Sequence, residues 1–126
     1  MAYKILLAED DIQLIDMYKR KFELEGFEVH VAEDGQAALD QLETFTPDII
    51  LLDIMMPKVN GLEVLKNIRQ TPDKQDMLVI ILTNLGNEAT SEEIYKIGAT
   101  DYIVKADMTP IEVVNKVKEI LKYYKK

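Results

Sequence analysis

Short apolar runs alternate five times along the chain with segments whose apolar residues recur at helical spacing. Ile5-Leu6-Leu7-Ala8, Ile49-Ile50-Leu51-Leu52 and Leu78-Val79-Ile80-Ile81-Leu82 lack any polar alternation, as strands covered on both faces do. Glu28-Val29-His30-Val31-Ala32 alternates and Tyr102-Ile103-Val104 is short; both read as edge strands. Between them, Leu14, Ile15, Tyr18 and Phe22 share one helical stripe, and Val113, Val114, Val117, Leu121 and Tyr124 share another. Thr109-Pro110-Ile111-Glu112 opens a helix with an N-cap threonine, a proline in the first turn and a capping-box glutamate. Thr90-Ser91-Glu92-Glu93 repeats the capping box, Gly26 stops the first helix, and Thr71-Pro72 stops the third. The pattern predicts βαβαβαβαβα: an α/β fold with a doubly wound, five-stranded parallel sheet and five helices, forming one domain over residues 1–126.

Right-handed crossovers leave few arrangements of five strands, and the commonest doubly wound order is the flavodoxin-like 2-1-3-4-5. In that order the winding reverses between the first and third strands, and ligands bind beyond the strands' carboxyl ends at that point. Composition narrows the classes of protein. Apolar residues make up 48% and charged residues 30%, an ordinary globular balance. No apolar run approaches the roughly 20 residues of a membrane span, and Met1-Ala2-Tyr3-Lys4 does not read as a signal peptide. The absence of cysteine excludes disulfides and thiolate metal sites and fits the cytoplasm. A net charge of −8 argues against direct nucleic-acid or membrane binding. The lysine-rich end (Lys116, Lys118, Lys122, Lys125, Lys126) reads as cations favoured by the C-terminal end of the last helix.

The residues at the switch point are acidic. The first strand ends in Glu9-Asp10-Asp11 and the third in Asp53. Carboxylates brought that close raise one another's pKa unless a cation compensates, and Mg²⁺, which keeps several waters and accepts phosphate oxygens, suits such an open oxygen site. Thr83 ends the fourth strand and Lys105 the fifth. A carboxylate nucleophile, a metal, a hydroxyl and an ammonium around one point suit phosphoryl transfer. Each residue alone has a plainer role: Asp11 or Asp10 as a helix cap, Glu9 and Lys105 as solvated charges, Asp53 and Thr83 as strand ends. Convergence of four strand ends on one edge favours the chemical reading.

These residues sit in motifs: Ile5 to Asp11, Leu52-Asp53-Ile54-Met55-Met56-Pro57 leading to Gly61, Ile81-Leu82-Thr83, and Gly98-Ala99-Thr100-Asp101-Tyr102 leading to Lys105. In this order and spacing the chain resembles the bacterial response-regulator receiver family of chemotaxis and two-component signalling. The resemblance implies that Asp53 accepts a phosphoryl group from a histidine kinase or phosphotransfer protein. It further implies that Asp10 and Asp53 ligate Mg²⁺ with the backbone carbonyl of Met55, while Glu9 acts mainly through water. Thr83 would move to bind the phosphoryl group, Lys105 would pair with it, and Tyr102 would turn inward as the threonine moves. The fourth helix, fifth strand and fifth helix would present the result to a downstream protein target, or pair two copies in a homodimer. The protein would be a phosphoacceptor switch, with self-catalysed phosphotransfer and autodephosphorylation, rather than an enzyme.

The chain departs from the family in places. Ala106 replaces the usual proline after Lys105, so a trans bond is expected, because a non-proline cis bond costs about 2.5–4 kcal/mol. Asn84 is larger than the usual residue after the threonine. Met55 and Leu85, two beyond Asp53 and Thr83, are apolar, so they cannot orient a hydrolytic water and a long-lived phosphoryl group is expected. His30 reads as a surface residue. A haloacid-dehalogenase-like phosphatase also uses a strand-end aspartate with Mg²⁺, but wants a second aspartate where Met55 stands. An unphosphorylated interaction module would not need the full acid set.

Overall fold

A computed structural model describes residues 2–84 and 89–125. The strands are β1 (Lys4–Ala8), β2 (Glu28–Ala32), β3 (Ile49–Asp53), β4 (Leu78–Thr83) and β5 (Asp101–Val104). The helices are α1 (Ile12–Leu24), α2 (Gly35–Leu42), α3 (Gly61–Gln70), α4 (Ser91–Ile97) and α5 (Pro110–Tyr124), with short 3₁₀ turns at Pro72–Lys74 and Lys105–Asp107. All strand pairs are parallel, in the order β2-β1-β3-β4-β5. The alternating and short runs are the two edges, as expected.

Successive side chains of a strand point to opposite faces, and each face has its own core. Ile5, Leu7, Ile49, Leu51, Ile80 and Leu82 pack with Tyr18 and Phe22 of α1 and Val113, Val114 and Val117 of α5. Leu6, Ile50, Leu52, Val79 and Ile81 pack with α2, α3 and α4. Every residue of β3 and β4 is buried, which is why neither strand shows alternation. On α5 the stripe is shifted from expectation: Ile120 is buried, whereas Tyr124, in the last turn, is 55% exposed.

Side-chain caps set the helix starts beside the sheet's carboxyl edge. Asp11 Oδ1 accepts the N–H groups of Gln13 (3.0 Å) and Leu14 (3.3 Å), satisfying amides that have no partner within the helix. Asp34 and Asn60 cap α2 and α3 in the same way. Thr90 and Thr109 form the expected capping boxes on α4 and α5. Gly26 follows α1 with φ +88°, a conformation a Cβ disfavours.

Candidate functional site

The β2-β1-β3 order makes β1 and β3 neighbours and brings their carboxyl ends together, with Ala8 opposite Leu52. Glu9 and Asp10 leave β1 just beyond that pair, and Asp53 is the last residue of β3. One carboxylate oxygen from each of the three acids lies within 4.8 Å of the others. Their surroundings differ. Glu9 is fully buried, Asp53 is 2% exposed, and Asp10 faces solvent. Asp11 stands apart as the α1 cap.

Lys105 reaches in from the end of β5, its Nζ 3.0 Å from Asp53 Oδ1 and 3.0 Å from Glu9 Oε2. Glu9 Oε1 also accepts the N–H of Asp11 at 3.1 Å. Its Oε2 is buried and has the Lys105 ammonium as its contact among the described residues. Two buried carboxylates thus share one ammonium, an excess of negative charge that costs free energy unless a further cation offsets it. Burial and the neighbouring Glu9 charge push the Asp53 carboxyl up to about 7, against the opposing pull of Lys105. Burial disfavours the Lys105 charge, but the two carboxylates outweigh it and its pKa is raised. Three clustered acids, two of them paired with one ammonium, are the donor set of a hard divalent cation such as Mg²⁺, so the residues fit the metal expected from sequence.

Thr83 ends β4 and is fully buried. β5 pairs with β4 so that Ile81 opposes Tyr102 and Thr83 opposes Val104. Tyr102 and Thr83 thus share the face that packs on α4, and Tyr102 is half-buried against that core. Met55 is 60% exposed at the rim, while Met56 is buried. Asn84 is exposed, and Leu85 lies outside the described residues. No cis peptide bond occurs among the described residues, so the Lys105–Ala106 bond is trans as expected. His30 lies on β2 away from the site, stacked on Phe45 (centroids 4.0 Å) and bonded to Glu28 (2.7 Å).

The sequence reading missed two supports of the β3–α3 loop. A Cβ at Gly61 would collide with the carbonyl oxygen of Asp53, and one at Gly35 would collide with that of Val59. Both glycines let helix starts press against the loop that carries Asp53. Lys58 in that loop has φ +69° and pairs with Asp34 at 3.6 Å. The glycines were legible as residues, but their close contacts come from separate segments.

Fold and site together define a doubly wound α/β protein with a buried acid–lysine pocket at its topological switch point. The chain belongs to the response regulator receiver domain family, whose model matches residues 5–118. It is 43% identical over 119 residues to the transcriptional regulatory protein CpxR of Escherichia coli K12, covering 94% of this chain and 49% of that protein. It is 37% identical over 122 residues to the alkaline phosphatase synthesis transcriptional regulatory protein PhoP of Bacillus subtilis, covering 97% and 50%. The chain thus spans about half the length of these relatives. Among solved structures, the Francisella response regulator 1452 receiver domain superposes with a TM-score of 0.85 at 34% identity, covering 96% of this chain and 98% of that one. The chemotaxis response regulator CheY4 of Vibrio cholerae superposes with a TM-score of 0.88 at 26% identity, covering 96% and 100%. The chain is thus a receiver domain of two-component signalling, and no helix among the described residues is long and apolar enough to cross a membrane.

Proposed function

We propose that residues 1–126 act as one phosphorylatable switch module in the cytoplasm, with Asp53 as the phosphoacceptor for a histidine kinase or phosphotransfer protein. The observation that carries this reading is the buried Asp53 carboxylate, 3.0 Å from Lys105 and grouped with Glu9 and Asp10. Asp10, Asp53 and the Met55 carbonyl would hold Mg²⁺, with Glu9 acting mainly through water. Bound there, the metal supplies positive charge that lets the clustered acids ionise together and a place for phosphoryl oxygens. A carboxylate oxygen of Asp53 attacks phosphorus, the P–N bond to the donor histidine breaks, and the imidazole leaves with the bonding pair. Lys105, already at bonding distance, keeps a positive charge on the oxygens that gain negative charge. The buried hydroxyl of Thr83 donates to a phosphoryl oxygen.

Because Thr83 and Tyr102 share the α4 side of the sheet, movement of the threonine biases two arrangements of the α4–β5–α5 face. That face serves a downstream protein target and could pair two copies. The net charge of −8 gives the module no affinity of its own for nucleic acid. Met55 at the rim cannot orient water, so the aspartyl phosphate is long-lived.

Acetyl phosphate with and without Mg²⁺ tests the reading by intact mass. One added phosphoryl group in wild type with Mg²⁺, absent in Asp53→Asn and without metal, is the expected result. No adduct would sink the phosphoacceptor role, and steady turnover without an adduct would favour a phosphatase.

A further inference from the structure

The switch proposed above needs α4 to move against β5, and one contact opposes that motion. The Tyr95 hydroxyl of α4 donates to Asp101 Oδ1 of β5 at 2.9 Å. Asp101 Oδ1 also accepts the Tyr102 N–H at 2.8 Å, and Asp101 Oδ2 pairs with Lys116 of α5 at 3.2 Å. One carboxylate therefore ties three elements of the readout face. The Tyr95 ring meets the Tyr102 ring edge-on, with centroids 5.6 Å apart and planes at 70°, a favoured aromatic geometry. We propose that Tyr95 is a positioning residue for Tyr102: its hydroxyl latches α4 to Asp101 and its ring holds Tyr102 in the resting arrangement, setting how readily the face switches.

The geometry gives the latch a direction. It is present while Asp53 is unmodified and bridged by Lys105. The carboxyl end of α4, within one turn of Tyr95, is also held by Arg69 Nε of α3 donating to Gly98 O at 2.8 Å, so opening at Tyr95 pivots about that anchor. A hydrogen bond of this length is lost on opening by well under about 1 Å, and a Tyr102 ring that turns towards Thr83 leaves the ring of Tyr95. Burial and the adjoining Asp101 push the Tyr95 hydroxyl up to about 12, so it remains a donor at neutral pH. Tyr95 is 48% exposed, so its removal leaves the core intact.

This inference rests on the phosphoacceptor reading, and the test separates the two. Beryllofluoride with Mg²⁺, a stable phosphoryl mimic, is titrated into wild type, Tyr95→Phe and Tyr95→Leu. Amide signals near Asp53 and the Tyr102 ring signals are followed by NMR. Tyr95→Phe removes the hydroxyl alone and should tighten the apparent affinity about threefold, the effect of one partly exposed hydrogen bond present in only one state. Tyr95→Leu also removes the ring contact and should tighten it about tenfold, since edge-on aromatic pairs add a comparable increment. In both unliganded variants the Tyr102 signals should move towards their wild-type bound positions, with Mg²⁺ affinity unchanged. Because loss of the Tyr95 ring current itself moves nearby Tyr102 signals, the affinity is decisive: a residue that merely stabilises the fold would shift the melting temperature and leave the beryllofluoride affinity unchanged. Unchanged affinity, wherever the Tyr102 signals fall, overturns the latch while the phosphoacceptor reading stands, and weaker affinity overturns it by placing the bond in the switched arrangement. No beryllofluoride response at Asp53 in wild type overturns both.

Discussion

The two ends of the parallel sheet handle acidic residues in opposite ways. At the amino end Glu25 pairs with Lys118 (2.7 Å), Asp48 with Lys125 (3.6 Å) and Asp101 with Lys116 (3.2 Å), each acid with its own lysine and each pair partly open to solvent. At the carboxyl end Glu9, Asp10 and Asp53 have, among the described residues, one lysine between them, and two of the three acids are buried. Solvated one-to-one pairs are cheap and interchangeable. A buried charge imbalance is destabilising by itself and persists where a ligand restores the balance. The difference teaches where to look for function: at the acids whose charge the fold leaves unmatched. Of the lysines near the chain's end that the sequence suggested as dipole partners, Lys116, Lys118 and Lys125 serve the amino end as acid partners, and Lys126 lies outside the described residues.

The comparison breaks most readily at Lys105. Lys105→Met strips from two buried carboxylates the only cation paired with them among the described residues and should destabilise the metal-free protein by about 3 kcal/mol, with much of the loss recovered in millimolar Mg²⁺. Urea unfolding with and without the metal measures it, and a loss no larger than for an amino-end lysine would remove the distinction between the two ends.

The pH dependence of stability comes next. The folded pKa of Asp53, about 7, lies above its ordinary 3.8, so the folded state holds the proton more tightly than the unfolded chain. Stability from this group is full below about pH 4 and is lost as pH rises towards about 7. Relative to Asp53→Asn, metal-free wild type should lose on the order of 2 kcal/mol between pH 5 and pH 8. Saturating Mg²⁺ should abolish most of the slope. Parallel profiles for the two proteins would mean that Lys105 already balances the site.

Asp10→Asn removes the exposed member of the cluster. Metal-free stability should rise by about 0.5–1 kcal/mol as repulsion falls, and phosphorylation should be abolished. Mg²⁺ should bind at least about tenfold more weakly with one carboxylate ligand lost; calorimetry showing wild-type affinity would exclude Asp10 from the metal site. The smallest effect belongs to the amino end: Lys118→Ala should cost no more than about 0.5 kcal/mol, fading in high salt. A loss of several kcal/mol there would erase the contrast.

The order of elements, the central and edge strands, the caps at Asp11, Thr90 and Thr109, and the acids at the switch point were all legible in the chain. Local rules suffice for them: an unbroken apolar run must be covered on both faces, and a threonine three residues before a glutamate satisfies amides within a single turn. What the sequence could not decide was how residues far apart in the chain share charge and space. Glu9 read equally well as a solvated strand end, and only the approach of β5 to β1 across β3 and β4 made it a buried partner of Lys105. Tyr124 fitted the helical stripe, yet the fold leaves it 55% exposed in the last turn of α5. Gly35 and Gly61 became supports of the Asp53 loop only once separate segments met. Periodicity records which way a side chain points within its own element, whereas burial, pairing and pKa depend on what the other elements place opposite it.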